Sequence, residues 1–542
     1  MSGALPGTLT NPSVAMGLAG LYDWSTAQPF LNHFRMARPW VGRRDGGFGT
    51  PDFEELRRMG AIDPEGWVRA VPPGLEAVTT VLLTELPAQA LDLAASYELT
   101  WQGEGDLRLL GAEVLARGPN RIVFSFRPGP AAMVELQIRA VTSGPIRDIA
   151  IVQSGNLARH RAGDLFRVEW LELVRNCRAL RFMDWMRTND SPQCDWQDRP
   201  RPEDAFYTWR GAPVEVMVRL ANAVGADPWF TLPHLAGRDH VARFATAVCD
   251  GLNPDLRAHY EYSNEMWNTI FGQSRWAIAQ AERRWPGQGD GFVQWYAARA
   301  VAMADEVARV HAQPGAPGCV RVISTHTHWL GLEQAILEAP LWRAEDPRRT
   351  APWRHFDAYA VSGYVDGGMG LDENLPALRA LIADRGAAGA RAALRAQLIA
   401  GGWRDSGRTV ATLRAVWNHH AAIAWARGLK LLMYEGGCHV TLPPGARDDP
   451  AMLRFYEEFC YSAEMGQVQT AALAEWATAG GQMFNLFVEC DRPSVHGFWG
   501  LRRHTGDDNP RSTAVEDWNE SHPGAADRAE DCFLGDFEAD HG

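Results

Sequence analysis

The residues most able to do chemistry are two glutamates. Glu265 stands in the run Ala-His-Tyr-Glu-Tyr-Ser-Asn-Glu-Met-Trp-Asn at 258–268, beside the side-chain amide of Asn264. Glu435 stands in Leu-Leu-Met-Tyr-Glu-Gly-Gly. Each follows an apolar run that reads as a buried strand. Two carboxyl groups facing one bond are the minimum apparatus for splitting a glycosidic linkage: one protonates the leaving oxygen, and the other attacks the anomeric carbon or activates water. The Asn-Glu pair has no force by itself, since Asn519-Glu520 repeats it with no strand in front. Its position on an element is what matters.

From about residue 160 onward, strand-like runs alternate with helical patterns, which predicts a parallel α/β architecture. The strand candidates are 179–185, 228–232, 257–262, 320–325, 358–362, 429–434 and 483–488, with 16–22 supplying an eighth near the start. Helical periodicity falls at 165–176, 213–224, 239–250, 292–311, 409–426 and 451–466. Eight strands with intervening helices predict a (β/α)8 TIM barrel, whose catalytic groups gather at the C-terminal ends of the strands. Glu265 then follows the fourth strand and Glu435 the seventh. Residues 60–155 change character, with short alternating segments broken by Gly and Pro. They predict an inserted β-sandwich after the first barrel strand, a candidate carbohydrate-binding module. The expected organisation is a barrel over 1–55 and 156–510, the insert over 56–155, and an acidic, partly disordered C-terminal tail over 511–542.

With those positions stated, the chain resembles the clan A retaining glycoside hydrolases, TIM barrels with an Asn-Glu acid/base after strand four and a Glu nucleophile after strand seven. The motifs that carry the resemblance are Tyr-Ser-Asn264-Glu265 and Leu-Leu-Met-Tyr-Glu435-Gly-Gly, and it covers roughly 12–40 and 156–505, not the insert. It implies Glu265 as acid/base and Glu435 as nucleophile. It further implies Arg181 as a partner of the nucleophile, Tyr364 as a phenol touching it, Asn264 on the sugar 2-hydroxyl, His234 near a substrate position after strand three, and Trp499 as an aromatic floor. Glu265 then needs a raised pKa and Glu435 a carboxylate kept charged. The chain departs from the clan in lacking a histidine beside Tyr364, and Trp499 lies well past the eighth strand, leaving Asn485, Glu489 or Asp491 as nearer groups. Asp184 and Asp23 are further acids that could approach the mouth.

Bulk properties narrow the partners. The 542 residues are 46% hydrophobic and 22% charged, and 53 Lys+Arg against 66 Asp+Glu give a net charge of −13. That charge argues against a nucleic-acid footprint. Lys430 is the only lysine. The 22 tryptophans outnumber the 21 phenylalanines and 11 tyrosines, and flat indole rings suit the C–H faces of sugars. Trp24, Trp40, Trp185, Trp196, Trp229, Trp267 and Trp329 are expected near the mouth, with Trp24, Trp267 and His326 among the substrate-binding candidates. So many rings suit an oligo- or polysaccharide better than a monosaccharide. The eight cysteines show no metal spacing, no run is long and apolar enough for a membrane span, and no cofactor motif is present. The N-terminus shows no signal peptide, so a cytoplasmic protein or a secreted one with its export signal removed is expected. The sequence leaves oligomeric state, linkage, endo or exo action, and cysteine pairing open. Two alternatives stand beside the hydrolase: a non-catalytic carbohydrate-binding barrel, and a metal-dependent hydrolase using His326 and His328, which alternate at the end of strand five as metal ligands can.

Overall fold

A computed structural model describes residues 8–44, 47–402 and 407–536. The chain opens with strand β1 (Val14–Gly17) and leaves it for β2 (Val41–Arg44), β3 (Gly47–Phe48), β4 (Ala77–Leu82), β5 (Ala95–Leu110), β6 (Glu113–Gly118), β7 (Arg121–Phe126) and β8 (Val134–Gln153). It then returns for β9 (Ala179–Arg181), β10 (Asp227–Leu232), β11 (Arg257–Tyr262), β12 (Gly318–Ser324), β13 (Ala358–Val365), β14 (Lys430–Cys438) and β15 (Phe484–Phe487). Strands β1 and β9–β15 pair in parallel, each beside its neighbour in sequence, and β15 closes onto β1. This is the expected eight-stranded barrel.

The helices between these strands present apolar stripes to it. Helix Val214–Val224 buries Val214, Met217, Val218, Ala221 and Val224, the three-and-four spacing of one helical face. It ends at Gly225 with φ 66°, where a Cβ would lie 2.6 Å from the Phe533 carbonyl carbon, so both backbone sign and space require glycine. Among the described residues, no helix is long and apolar enough to cross a membrane.

The insert departs from the expected sandwich. Strands β2–β8 form one seven-stranded antiparallel sheet in the order β3-β2-β4-β8-β5-β7-β6, not two sheets face to face. The sequence pattern broke β5 and β8 into short pieces at their glycines, yet these strands run 16 and 20 residues and stay paired through several register shifts. Gly103, at φ 90°, sits at one such irregularity, where a Cβ would come 2.2 Å from the Pro145 carbonyl oxygen. Glycine there marks a bulge in a continuous strand, not a turn. A second apolar core beneath this sheet joins Leu99, Phe124, Leu136 and Ile138 to Phe34, Trp40, Trp67 and Phe206, which locks the insert to the segment after β1 and to the loop after β9.

The acidic stretch after residue 508 is structured over most of its length. Helix Pro510–Ser521 packs on the helix Ala463–Thr478. Beyond it, Arg528 donates to both oxygens of Asp227 at 2.6 and 2.8 Å, and Asp527 accepts from Arg178, Arg257 and Lys430 at 2.7, 2.7 and 3.3 Å. Asp227, Arg257 and Lys430 begin β10, β11 and β14, so this network seals the end of the barrel opposite the strands' C-termini.

Candidate active site

Alternation along β11 sends Glu261 into the barrel and Tyr260 and Tyr262 outward. Tyr260 meets His311 of the outer helix Gly291–His311, and the Arg299 side chain of that helix donates to the Tyr262 hydroxyl. Inside, the Arg181 guanidinium at the end of β9 organises the site. It donates to Glu261 Oε2 at 2.9 and 3.2 Å, to Glu435 Oε1 at 2.7 Å and to Asn264 Oδ1 at 2.9 Å. Trp229 Nε1 and Ser324 Oγ complete Glu261 at 3.0 and 2.5 Å. Burial works against the guanidinium's charge, but the two carboxylates outweigh it and hold Arg181 firmly protonated. Glu261 was not foreseen from the sequence. A charged residue inside the run Ala-His-Tyr-Glu-Tyr was the available signal, because an unpaired carboxylate is not tolerated in a buried strand.

Glu435 lies within β14, which continues to Cys438, instead of following the strand. The pairing of β13 with β14 passes from Val361–Met433 to Ser362–Glu435, leaving Tyr434 as an extra residue in β14. In a regular strand, consecutive side chains point to opposite faces. The bulge brings two consecutive ones to the same site: Glu435 bonds Arg181, and the Tyr434 hydroxyl donates to Glu265 Oε1 at 3.3 Å. Tyr364 on β13 donates its phenolic proton to Glu435 Oε2 at 2.8 Å. Each Glu435 oxygen is thus fixed by one donor, and each retains a lone pair.

Glu265 follows β11 on a sharply turned loop, with Ser263 at φ 58° and Glu265 at φ 40°. Left-handed φ at non-glycine residues costs of order 1–3 kcal/mol and clusters at functional sites. Asn268 Nδ2 donates to Glu265 Oε2 at 2.9 Å. Asn264 uses one amide hydrogen on Asn189 Oδ1 at 3.1 Å, which leaves the second for a ligand. Gln273 fixes the loop by donating to the Asn264 carbonyl at 2.9 Å and to Asn189 Oδ1 at 2.7 Å.

Burial pushes the Glu435 carboxyl up to about 7, against the lowering pull of Arg181 and the Tyr364 hydrogen bond and with added repulsion from Glu265 and Asp184. The sequence reading required a carboxylate kept charged. The two expected partners are in place, but desolvation of a largely buried group exceeds their effect. Asp184 is likewise raised to about 6, mainly by burial and further by Asp491, despite Arg181 nearby. Burial raises Asp491 to about 6 as well.

The remaining candidates divide by exposure. Trp24 is 45% exposed and stacks on Tyr22 at 4.8 Å with 6° between planes, a flat surface on the loop after β1. Trp329 is 51% exposed. Trp40, Trp185 and Trp229 are fully buried, which corrects their expected place in the mouth: they are core residues or, for Trp229, a bond to Glu261. Trp267 is buried behind Tyr434, 6.0 Å between rings, and supports that wall instead of offering a face. Trp499 reaches the site despite its distance in sequence: its Nε1 donates to His439 Nδ1 at 3.2 Å, and His439 packs 4.9 Å from the Tyr364 ring. His439, immediately after β14, occupies the place beside Tyr364 where the sequence showed no histidine. His234 is buried with Nδ1 unpartnered, its ring 5.3 Å from Trp276, and burial lowers it to about 4. Asn485 donates to the Tyr434 carbonyl, Glu489 accepts from the Ala19 amide at 2.7 Å, and Asp23 pairs with Arg38 at 2.8 Å, so these three serve the scaffold.

His326 Nδ1 accepts the backbone N–H groups of His328 and Trp329 at 3.2 and 3.0 Å, which leaves Nε2 to carry the ring proton. Burial lowers its pKa, with Glu265 close enough to pull the other way. Among the described residues, no three His, Cys, Asp or Glu side chains are grouped to hold a metal ion, so His326 and His328 have no third ligand.

No protein-family profile and no curated protein matches the chain. Among solved structures it is similar to native xylanase 10B from Thermotoga maritima, at 11% identity and TM-score 0.32 over 65% of this chain and 89% of that one. It is also similar to a GH10 protein from Paenibacillus barcinonensis, at 11% identity and TM-score 0.35 over 64% and 89%. A GH1 β-glucosidase from the fungus Humicola insolens gives 10% identity and TM-score 0.33 over 64% and 84%. Likeness at this level carries no functional argument, and the barrel rests on its own strand pairing.

Proposed function

We propose that the protein is a retaining glycoside hydrolase acting on β-linked oligo- or polysaccharides, with Glu435 as nucleophile and Glu265 as acid/base. The observation that carries this reading is the Glu435 carboxylate, held by Arg181 on one oxygen and Tyr364 on the other, with the Tyr434 hydroxyl beside it reaching Glu265. In the first step Glu435 attacks the anomeric carbon while Glu265 gives its proton to the departing oxygen, leaving a glycosyl ester on Glu435. In the second, Glu265, now ionised, takes a proton from water as that water attacks the same carbon and releases Glu435. The free Asn264 amide hydrogen bonds the sugar 2-hydroxyl, where the interaction strengthens as the ring gains oxocarbenium character. The exposed Tyr22–Trp24 stack offers a platform for a further sugar unit.

The test is release of reducing ends from a panel of β-glucans, xylans, mannans and galactans. Glu435→Ala is expected to be inactive and to yield a glycosyl azide of inverted configuration when azide is added. Binding of these polymers without cleavage of any of them would sink the hydrolase reading in favour of a non-catalytic binding protein. Full activity in Glu265→Gln would sink the acid/base assignment.

A further inference from the structure

A cavity of about 650 Å³ lies between the loop after β9 and the helix Phe53–Arg58 of the insert segment. Its wall continues that of the Glu265 loop. Asn189, which lines it, accepts from both Asn264 and Gln273, and the neighbouring Asp190 carboxylate accepts the Gly272 amide. Three arginines and three acids line the same space, but they are not equivalent. Glu54 pairs with Arg57 at 2.8 Å, Asp190 is bound to the Gly272 amide, and Asp198 accepts the Asp195 amide at 3.1 Å. Among the described residues Arg187 and Arg210 make no direct ion pair, although Asp204 and Asp198 lie near enough to act on Arg210. Arg187 donates to the Thr208 carbonyl, and Arg210 reaches only the Pro64 carbonyl at 3.5 Å. Trp209 holds the guanidiniums of Arg210 and Arg57 with their carbons 3.6 and 4.7 Å from its ring centre. Burial lowers the Arg210 pKa, with Arg57 and Arg201 adding to it, against the opposing pull of the Asp204 and Asp198 carboxylates.

We infer that this cavity is a subsite for a negatively charged sugar unit, a uronic acid in the first instance, in the same chain whose bond lies between Glu265 and Glu435. The inference rests on the hydrolase reading for the identity of that chain, and on the cavity for its charge. Planar guanidiniums match a carboxylate through paired N–H donors, and backbone carbonyls and the Trp209 face already fix their orientation. With a net charge of −13 the protein as a whole repels polyanions, so an acidic polymer has to be held by a local pair such as Arg187 and Arg210.

The test measures affinity electrophoresis and calorimetric binding of the full chain carrying Glu265→Gln, which suppresses cleavage. The probes are glucuronoxylan, β-linked polymannuronate, the carboxyl-reduced form of each, and carrageenan for a sulfate ester. The expected result is binding of at least one acidic polymer about tenfold or more tighter than its neutral counterpart at low salt, the equivalent of about one charge-assisted pair. Adding Arg187→Gln and Arg210→Gln should abolish that preference. Arg187→Gln alone, at an exposed position, serves if the double variant does not fold, and should weaken the preference; Arg187→Lys should restore part of it. Equal binding of acidic and neutral forms, persistence of the preference in the arginine variants, or no binding of any acidic probe overturns the inference. Preference for carrageenan over both uronate polymers assigns the same site to sulfated sugars. The cleavage assay fails separately: neutral polymers cut without acidic preference refute this subsite and keep the hydrolase, while acidic preference without any cleavage does the reverse.

Discussion

Tyr364→Phe is the sharpest perturbation of the proposed site. It removes one hydroxyl and leaves the ring against His439 at 4.9 Å and Phe487 at 6.3 Å, so the packing that positions β13 is retained. What is lost is the 2.8 Å bond to Glu435 Oε2, which favours the ionised carboxylate and is one of the two influences opposing burial. A hydrogen bond to a charged group contributes about 1.5–3 kcal/mol, equivalent to about 1–2 pH units in the ionisation it supports. The Glu435 limb, near about 7 in the native protein, should therefore move to about 8–9. At pH 7 that lowers the ionised fraction from about a half to between about a tenth and a hundredth, a loss of roughly 5–50-fold. The assay is the pH dependence of the glycosylation step with a dinitrophenyl glycoside of the sugar identified by the panel. Its leaving group needs no proton from Glu265, so the acid limb reports Glu435 alone. A uniform loss at every pH, with the limb unmoved, would refute the reasoning and assign Tyr364 to substrate contact.

Three further predictions concern the scaffold and the pair. Burial raises Glu489 to about 8, so its neutral form contributes stability that is complete below the unfolded carboxylate value and is lost as pH rises toward 8. Glu489→Gln should therefore raise the melting temperature more at pH 8 than at pH 5, and equal shifts at both would contradict this. Arg528→Ala leaves the buried Asp227 carboxylate without its bidentate partner and should cost about 3–5 kcal/mol in denaturant unfolding, with kcat on the folded protein unchanged. Arg181→Met abandons both Glu261 and Glu435, so it should lower stability by a similar few kcal/mol and reduce kcat/KM by at least about a hundredfold; a stable, active variant would refute the central place given to Arg181.

The barrel was legible because its strands are short apolar runs set between amphipathic helices. β11 could be bounded to the residue, since Ala-His-Tyr-Glu-Tyr alternates until the polar Ser263. β14 was cut short at Tyr434 because a bulge breaks the two-residue period there and Gly436-Gly437 carries no side chain to reveal the continuation. The long strands of the insert were misread for the related reason that glycines at bulges look like turns. Helix Leu375–Ala400 escaped notice: its face of Ala and Arg has little apolar contrast, and Gly386 interrupts it at φ 65°. At the site, Glu265, Glu435, Arg181 and Tyr364 come together as their strand positions imply. The aromatic residues do not, since composition counts indole rings without saying which face water, and Trp229 and Trp185 are buried. Partners joined only by tertiary contact, such as His439 with Trp499 or Asp227 with Arg528, leave no local pattern to read.

The most direct test of the central claim is covalent trapping. Incubation with a 2-deoxy-2-fluoro glycoside bearing a good leaving group slows hydrolysis of the glycosyl ester, and peptide mapping by mass spectrometry then locates the sugar. The account predicts one equivalent of label on the peptide containing Glu435, absent in Glu435→Ala. Label on Glu265 or another carboxylate, or turnover of the same sugar with no covalent species and inverted product, would contradict it.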